Sequence, residues 1–301
     1  MKNKVQFCIL MLFFLQSPVL LLAQNGSDSI TSLVNVQESY KIPGKKLVEL
    51  SEAILYKKTP QIDLYMYLLR PNAPAKKSLP AIIYFYGGGW VRGDAENQIQ
   101  TAAWFRDHGI IAITAEYRVK SRSGTSPLAC IEDAKSAVRY VRENAKKLGI
   151  NPNEIIAAGG SAGGHLALST LLEGGDAAGE NLQISTRPNA LVLHNPVTGV
   201  GFGASFFAEH PEFSPILHIK KGWPPIILSN GTDDKTTPYA GAVEFGKKME
   251  EIGNRCELIT VKEADHSCDW PITNPNFLPT LTRMTEFLIE QGFIKKQKKS
   301  K

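Results

Sequence analysis

Residues 154–165 read Glu-Ile-Ile-Ala-Ala-Gly-Gly-Ser-Ala-Gly-Gly-His, and few stretches leave a chain so little choice of local fold. Ile155-Ile156-Ala157-Ala158 is a continuous apolar run of strand length. Gly159-Gly160-Ser161-Ala162-Gly163 follows without a spacer, and the pattern from His165 to Leu172 is helical. The result is G-x-S-x-G at a strand-to-helix turn, which holds a serine in a strained conformation with its hydroxyl exposed. Side chains at 159 and 163 would collide with the neighbouring strand and helix, so both positions call for glycine. A glycine-rich turn with an incidental serine is the bland alternative, and the strand–turn–helix context argues against it.

The same alternation governs the rest of the chain. Lys46 to Tyr56 and Ile62 to Leu69 read as two early strands, and Pro71 to Pro80 as a loop. Ala81-Ile82-Ile83-Tyr84-Phe85-Tyr86 is apolar throughout, as in a strand covered on both faces. Gln98 to His108 is expected to be helical and 110–115 a strand. Ser126-Pro127 opens a long helix whose stripe of Leu128, Ile131, Ala134, Val138, Val141, Ala145 and Leu148 runs to a cap at Gly149. Asn151-Pro152-Asn153 leads into the elbow strand. Later strands are expected at 190–194, 225–229 and 256–261, and helices at 240–252 and 279–291. Between them, Asn195 to Lys221 is a long irregular stretch of the kind that is usually functional or mobile. This pattern implies one α/β domain over 39–294, doubly wound around a mostly parallel sheet, with helices on both faces and little or no cap.

The ends read differently. Lys2 and Lys4 precede apolar runs at 7–15 and 19–22, and Ala23 suits cleavage before Gln24. Residues 1–23 are therefore expected to be a signal peptide, giving a secreted or periplasmic protein without stable membrane insertion. The rival is a membrane anchor, against which Gln16-Ser17-Pro18 interrupts the run. Residues 24–38 read as a linker, and 295–301 as a basic disordered tail. Lys2, Lys4 and the five lysines of that tail more than account for the formal net charge of +5, leaving the body near −2. No basic face for nucleic acid is implied. Cys130, Cys256 and Cys268 form no disulfide framework, and no metal-site spacing occurs.

Reactive residues of such a sheet sit on loops at the C-terminal ends of strands. Four features fall there: Gly87-Gly88-Gly89, Ser161, Asp233-Asp234 and His266. A serine hydroxyl needs a base, normally histidine, and a carboxylate that fixes the base's tautomer. The order Ser, Asp, His suits this architecture. His266, just past the last strand, is the best base. His108, His194, His210 and His218 fit the chain order or strand-end placement less well, and His165 should point away from the serine into the scaffold. Asp233 and Asp234 compete as the acid, because Asp265 adjoins His266 too closely to orient it. A triple glycine after a buried strand suits backbone N–H groups aimed at a ligand oxygen.

Residues 80–290 resemble the α/β-hydrolase fold. Within it they look like the hormone-sensitive-lipase-like carboxylesterases and the bacterial acetyl and feruloyl esterases. The resemblance rests on Tyr86-Gly87-Gly88-Gly89-Trp90, Gly159-Gly160-Ser161-Ala162-Gly163-Gly164-His165 and Gly231-Thr232-Asp233-Asp234-Lys235-Thr236-Thr237-Pro238. The last of these resembles the family's G-T-x-D-x-x-x-P loop and so selects Asp234. The resemblance also implies an oxyanion hole from the N–H groups of Gly88, Gly89 and Ala162. Tyr86 stands where the lipase-like members usually have histidine, so the loop's internal hydrogen bonding should differ.

A second glycine pattern, Gly199-Val200-Gly201-Phe202-Gly203-Ala204, fits the dinucleotide fingerprint but not its context. Pro196 separates it from its strand, and Pro211 leaves little room for a following helix. It reads as a loop over the site, with Phe206 and Phe207 either lining the site or packing beneath the loop. The expected function is a secreted serine esterase that needs no cofactor or metal. Its expected substrates are small-molecule or polysaccharide-linked acetyl or feruloyl esters. A peptidase of the same fold and a non-catalytic binding protein are the alternatives. Oligomeric state is not legible.

Overall fold

In the computed structural model, alternate residues of the central apolar runs go to two different cores. The structure describes residues 46, 49, 51–72 and 78–295. The expected signal peptide (1–23), the expected linker (24–38) and all of the expected tail (295–301) but Lys295 lie outside these residues. Strands β1 (Glu52–Lys58), β2 (Asp63–Leu69) and β3 (Leu79–Phe85) come first, followed by α1 (Glu96–Asp107) and β4 (Ile111–Ala115). Next are α2 (Lys120–Ser123), α3 (Pro127–Glu143), α4 (Ala145–Leu148), β5 (Ile150–Gly160), α5 (Ala162–Ser169), β6 (Ala190–His194) and α6 (Ala204–Glu209). The chain closes through β7 (Ile226–Gly231), α7 (Tyr239–Glu251), β8 (Cys256–Val261) and α8 (Phe277–Glu290).

The eight strands of the described residues form one sheet in the order β1-β2-β4-β3-β5-β6-β7-β8. The β1–β2 and β2–β4 pairings are antiparallel, and every pairing from β4 through β3 to β8 is parallel. On one face Ile83, Phe85, Ala157 and Leu193 meet Val138 of α3, Leu166 of α5 and Phe245 of α7. On the other face Ile82, Tyr84, Ala158 and Val192 meet Phe105 of α1 and Phe287 of α8. With both faces covered, a polar residue at either parity would be buried, which is why these strands read as unbroken apolar runs. Among the described residues no helix is long and apolar enough to cross a membrane.

Five local expectations change. Lys46 and Glu49 are helical rather than extended, and the first strand begins at Glu52. The long helix stops at Glu143; Asn144 leaves the helical path and α4 restarts beyond it. The elbow strand begins at Ile150 rather than after Asn153. Its pairing jumps from Leu79–Ile150 to Ala81–Ile155, and that irregularity accommodates Pro152, which has no N–H for a regular ladder. The helix after the elbow starts at Ala162 and ends at Ser169, three residues earlier at each end than its apolar run indicates. The long connection after β6 is small rather than shapeless, with α6 and two single 3-10 turns and nothing of cap size.

Candidate active site

The elbow has the strain its glycines suggest. Ser161 sits at φ 53°, ψ −121°, a conformation rare for a residue with a side chain. Its N–H donates to His194 O at 2.9 Å, and its carbonyl accepts from His165 N and Val197 N, so the turn is held on both sides. A Cβ at 159 would lie 2.5 Å from the Gly163 backbone, and one at 163 would lie 2.0 Å from Phe85 O. Real Cβ atoms do not come this close to backbone, so close packing of strand against helix excludes any side chain there.

His266, beyond β8, reaches Ser161 from the side. The Ser161 hydroxyl lies 3.0 Å from His266 Nε2, and His266 Nδ1 lies 2.8 Å from Asp234 Oδ2. With Nδ1–H donating to the carboxylate, Nε2 is left as the acceptor for the serine proton. Asp234 is 4% exposed and lies in the loop after β7. It accepts from the N–H groups of Thr236 and Thr237, each at 2.8 Å, and from Thr237 Oγ1 at 2.7 Å. Burial alone would raise its pKa, but the His266 and Thr237 hydrogen bonds outweigh that and hold it below the usual carboxylate range. The neighbouring acids do other things. Asp233 is exposed, and Asp265 accepts from Ser267 N at 2.8 Å as a local turn cap.

Gly88 and Gly89, at φ 125° and 64°, turn the chain sharply after β3 and line the cavity beside Ser161. Among the described residues no backbone acceptor takes their N–H groups. Ala162 opens α5, so its N–H is a first-turn donor without an intrahelical partner. Tyr86 settles into the scaffold. Its ring stacks on Tyr117 at 4.1 Å, its hydroxyl donates to Tyr117 O at 3.0 Å, and Tyr117 OH donates to Tyr86 O at 2.6 Å. Arg122 donates to the Tyr86 hydroxyl at 2.6 Å. The residue before the triple glycine is thereby pinned to the β4 side of the sheet, away from the cavity.

The remaining histidines separate cleanly. His165 is fully buried, its Nε2 lies 2.9 Å from Phe213 O, and burial lowers its pKa to about 4. It is scaffold, as its place on the elbow helix implied. His194, one of the poorer candidates for the base, does not touch the serine hydroxyl. It nevertheless lines the cavity and pairs with Asp269 at 2.7 Å. Cys130, Cys256 and Cys268 are buried and unpaired, and burial pushes all three thiols up.

Sequence reasoning missed three contributors. Asn195, at φ 37°, places its amide nitrogen 2.8 Å from His266 O and 3.0 and 3.1 Å from the two ring nitrogens. Near-equal distances to both ring nitrogens mean that the amide lies over the imidazole face, where it limits tilting of the ring. Its position directly after β6 was the available signal. Phe202, rather than Phe206 or Phe207, lines the cavity; the latter two pack against Trp90 and His165 behind it. Trp270, 43% exposed, stands at the cavity wall beside Asp269. The cavity measures about 740 Å³ and has Ser161 and His266 in its lining.

Comparison with known proteins places the chain among esterases. The family described as BD-FAE matches residues 63–192. Esterase 2 of Thermogutta terrifontis, in a structure phosphoramylated by tabun, is 36% identical with a TM-score of 0.77, over 82% of this chain and 97% of that one. The same esterase with propionate bound gives a TM-score of 0.76. An acetylxylan esterase of Xylanibacter ruminicola is 26% identical over 64% of this chain and 42% of its own length. A probable isoprenylcysteine alpha-carbonyl methylesterase of rice is 25% identical over 71% of this chain and 57% of its own. The chain spans about half the length of these curated relatives.

Proposed function

Because this chain belongs to the esterases of the α/β-hydrolase fold, we propose that it hydrolyses carboxylic esters, with Ser161 as nucleophile, His266 as base and Asp234 as its orienting acid. The observation that carries the reading is the unbroken hydrogen-bond chain from Ser161 Oγ through His266 to Asp234, at 3.0 and 2.8 Å. Ser161 attacks the ester carbonyl while His266 Nε2 takes its proton. The ionised Asp234 stabilises the resulting imidazolium. The tetrahedral oxyanion is held by the N–H groups of Gly88, Gly89 and Ala162. His266 then protonates the departing alcohol, leaving an acyl group on Ser161. Water, deprotonated by the same imidazole, releases the acid and restores the serine. No step calls on a metal or cofactor.

Short acyl or feruloyl esters of carbohydrate are the proposed substrates. The acetylxylan esterase among the relatives, the propionate held by the Thermogutta enzyme, and a cavity with room for a bulky alcohol support this class. Secretion or periplasmic export, proposed from the leader-like pattern of residues 1–23, would bring the enzyme to such material.

Ser161→Ala tests the chemistry. Hydrolysis of p-nitrophenyl acetate should fall by about 10⁴-fold or more. Wild-type rates in that variant would refute the assignment. Preference for an aminoacyl nitroanilide over the nitrophenyl ester would instead favour a peptidase.

A further inference from the structure

Beneath Ser161 lies a group of buried polar atoms that the hydrolytic mechanism does not use. His194 and Asp269 are only 7% and 3% exposed, yet both line the cavity. Asp269 Oδ2 accepts from His194 Nδ1 at 2.7 Å and from Ser229 Oγ at 2.5 Å. By hydrogen-bond geometry His194 Nε2 and Asp269 Oδ1 are left without a partner among the described residues, with the Cys268 thiol the only other polar side chain acting on the carboxylate besides His194 and Ser229. The Tyr84 hydroxyl, whose ring lies 6.3 Å from that of His194, is unpartnered as well. Buried polar atoms are nearly always paired, and three in one neighbourhood signal a group that arrives from outside.

The elbow keeps the way to them open. Gly159 and Gly163 are sterically obligatory, but Gly160 is not. Its φ is not positive, and the nearest atoms to a Cβ there would be Gln98 Nε2 at 3.4 Å and His194 atoms at 3.7 Å, which are ordinary contacts. The backbone therefore tolerates a side chain at 160, and what its absence provides is space between Ser161 and the His194–Asp269 floor. Gln98 and Thr101 of α1 line the cavity with them.

The chemistry of the unmet atoms selects the ligand group. With Nδ1–H given to Asp269, His194 presents Nε2 beside the acceptor Oδ1, as an acceptor in the imidazole and a donor in the imidazolium. Oδ1 calls for a donor and Nε2 for a donor or an acceptor, and the Gln98 amide and Thr101 hydroxyl supply both kinds of group around them. A hydroxyl, which donates once and accepts twice, fits this set. An ammonium would also donate, but it has no lone pair to accept from the Gln98 amide or the Thr101 hydroxyl, and the charges of Arg92 and Asp94 in the same lining offset one another.

We infer that His194 and Asp269, reached past Gly160, form a subsite that recognises a hydroxyl group on the ester substrate. This inference rests on the reading that Ser161 hydrolyses esters in this cavity. It makes the subsite the part of the site that distinguishes a hydroxylated ester from a plain one. The hydroxyl can be on the alcohol side or the acyl side.

Two matched pairs, followed by pH-stat, separate the sources: monoacetin against propyl acetate, and methyl 3-hydroxybutyrate against methyl butyrate. In the wild type, kcat/KM should favour the hydroxylated member of one pair by about tenfold or more, the effect of a hydrogen bond to a charged acceptor. The pair that responds names the side. Asp269→Asn and Gly160→Ala should each reduce that ratio to within about twofold of unity, the first by removing the charged acceptor and the second by filling the passage. Gly160→Ala also guards against misfolding of the Asp269 variant, since its Cβ meets no close contact. Equal kcat/KM within both pairs while propyl acetate is turned over would overturn the subsite. So would preference for 2-(dimethylamino)ethyl acetate over either hydroxylated ester, or an undiminished ratio in Gly160→Ala. Absence of turnover of every ester would fell the hydrolase reading itself, and the subsite with it.

Discussion

Replacing Asp234 with Asn changes a single atom type, and the loop geometry dictates how His266 responds. Asp234 Oδ1 accepts from two backbone N–H groups, those of Thr236 and Thr237, both at 2.8 Å. An amide NH₂ cannot sit against two donors, so the Asn oxygen must take that place. The NH₂ then occupies the Oδ2 position, 2.8 Å from His266 Nδ1. There it donates to Nδ1, and the imidazole proton moves to Nε2, which faces Ser161 Oγ at 3.0 Å. His266 then presents a donor where an acceptor is needed. Both the base and the charge that stabilises the imidazolium are lost, and kcat should fall by about 10³–10⁴-fold, or roughly 4–5.5 kcal/mol of barrier. KM should change by less than about threefold, since no substrate contact is altered. Initial rates on p-nitrophenyl butyrate, with circular dichroism to establish folding, supply both parameters. Asp233→Asn is the internal control and should retain activity within about twofold, being an exposed substitution away from the ring. The tautomer mechanism is refuted if Asp234→Asn keeps more than about a tenth of wild-type kcat, or if Asp233→Asn is the more damaging change.

Other consequences can be checked alongside. Gly163→Ala places a Cβ 2.0 Å from Phe85 O and 2.5 Å from Tyr86 O, and should cost about 3 kcal/mol or more in urea unfolding. Phe202 lines both the main cavity and a second one of about 420 Å³ bounded by Trp90 and Phe206, so Phe202→Ala should join them and raise the hexanoate-to-acetate ratio of kcat/KM. His165, lowered to about 4 by burial, binds a proton in the unfolded chain before it does so in the folded one. Its contribution is therefore complete above about pH 6.5 and is lost as pH falls toward 4, by roughly 3 kcal/mol in all. His165→Gln should flatten unfolding free energy against pH across that window; an unchanged slope would refute the buried neutral imidazole.

The readable parts of this chain are those where one physical demand sets several residues at once. A strand covered on both faces must be apolar at both parities, so 81–85 and 190–194 declare themselves as central strands. The steric need for Gly159 and Gly163 makes the elbow legible, and it marks Gly160 as spare only once the contacts are known. Boundaries are less legible because tertiary pairing overrides local signals. Pro152 lies inside β5 at a register jump, and Asn144 interrupts a helix whose apolar stripe continues past it. Asn195 and the His194–Asp269 pair are hidden for another reason. Their partners lie 71 and 75 residues away, so no local pattern announces them. Phe202 yields to Phe206 and Phe207 in a sequence reading, because only the fold shows helix α6 turning the latter two inward onto Trp90.

The central claim is that Ser161 forms the covalent bond. Incubation of the full chain with a fluorophosphonate, followed by peptide mapping by mass spectrometry, tests it most directly. One adduct is expected, on the peptide bearing Ser161, with loss of esterase activity in step with labelling and no adduct in Ser161→Ala. An adduct on another residue that tracks inactivation, or full labelling of Ser161→Ala, would contradict it.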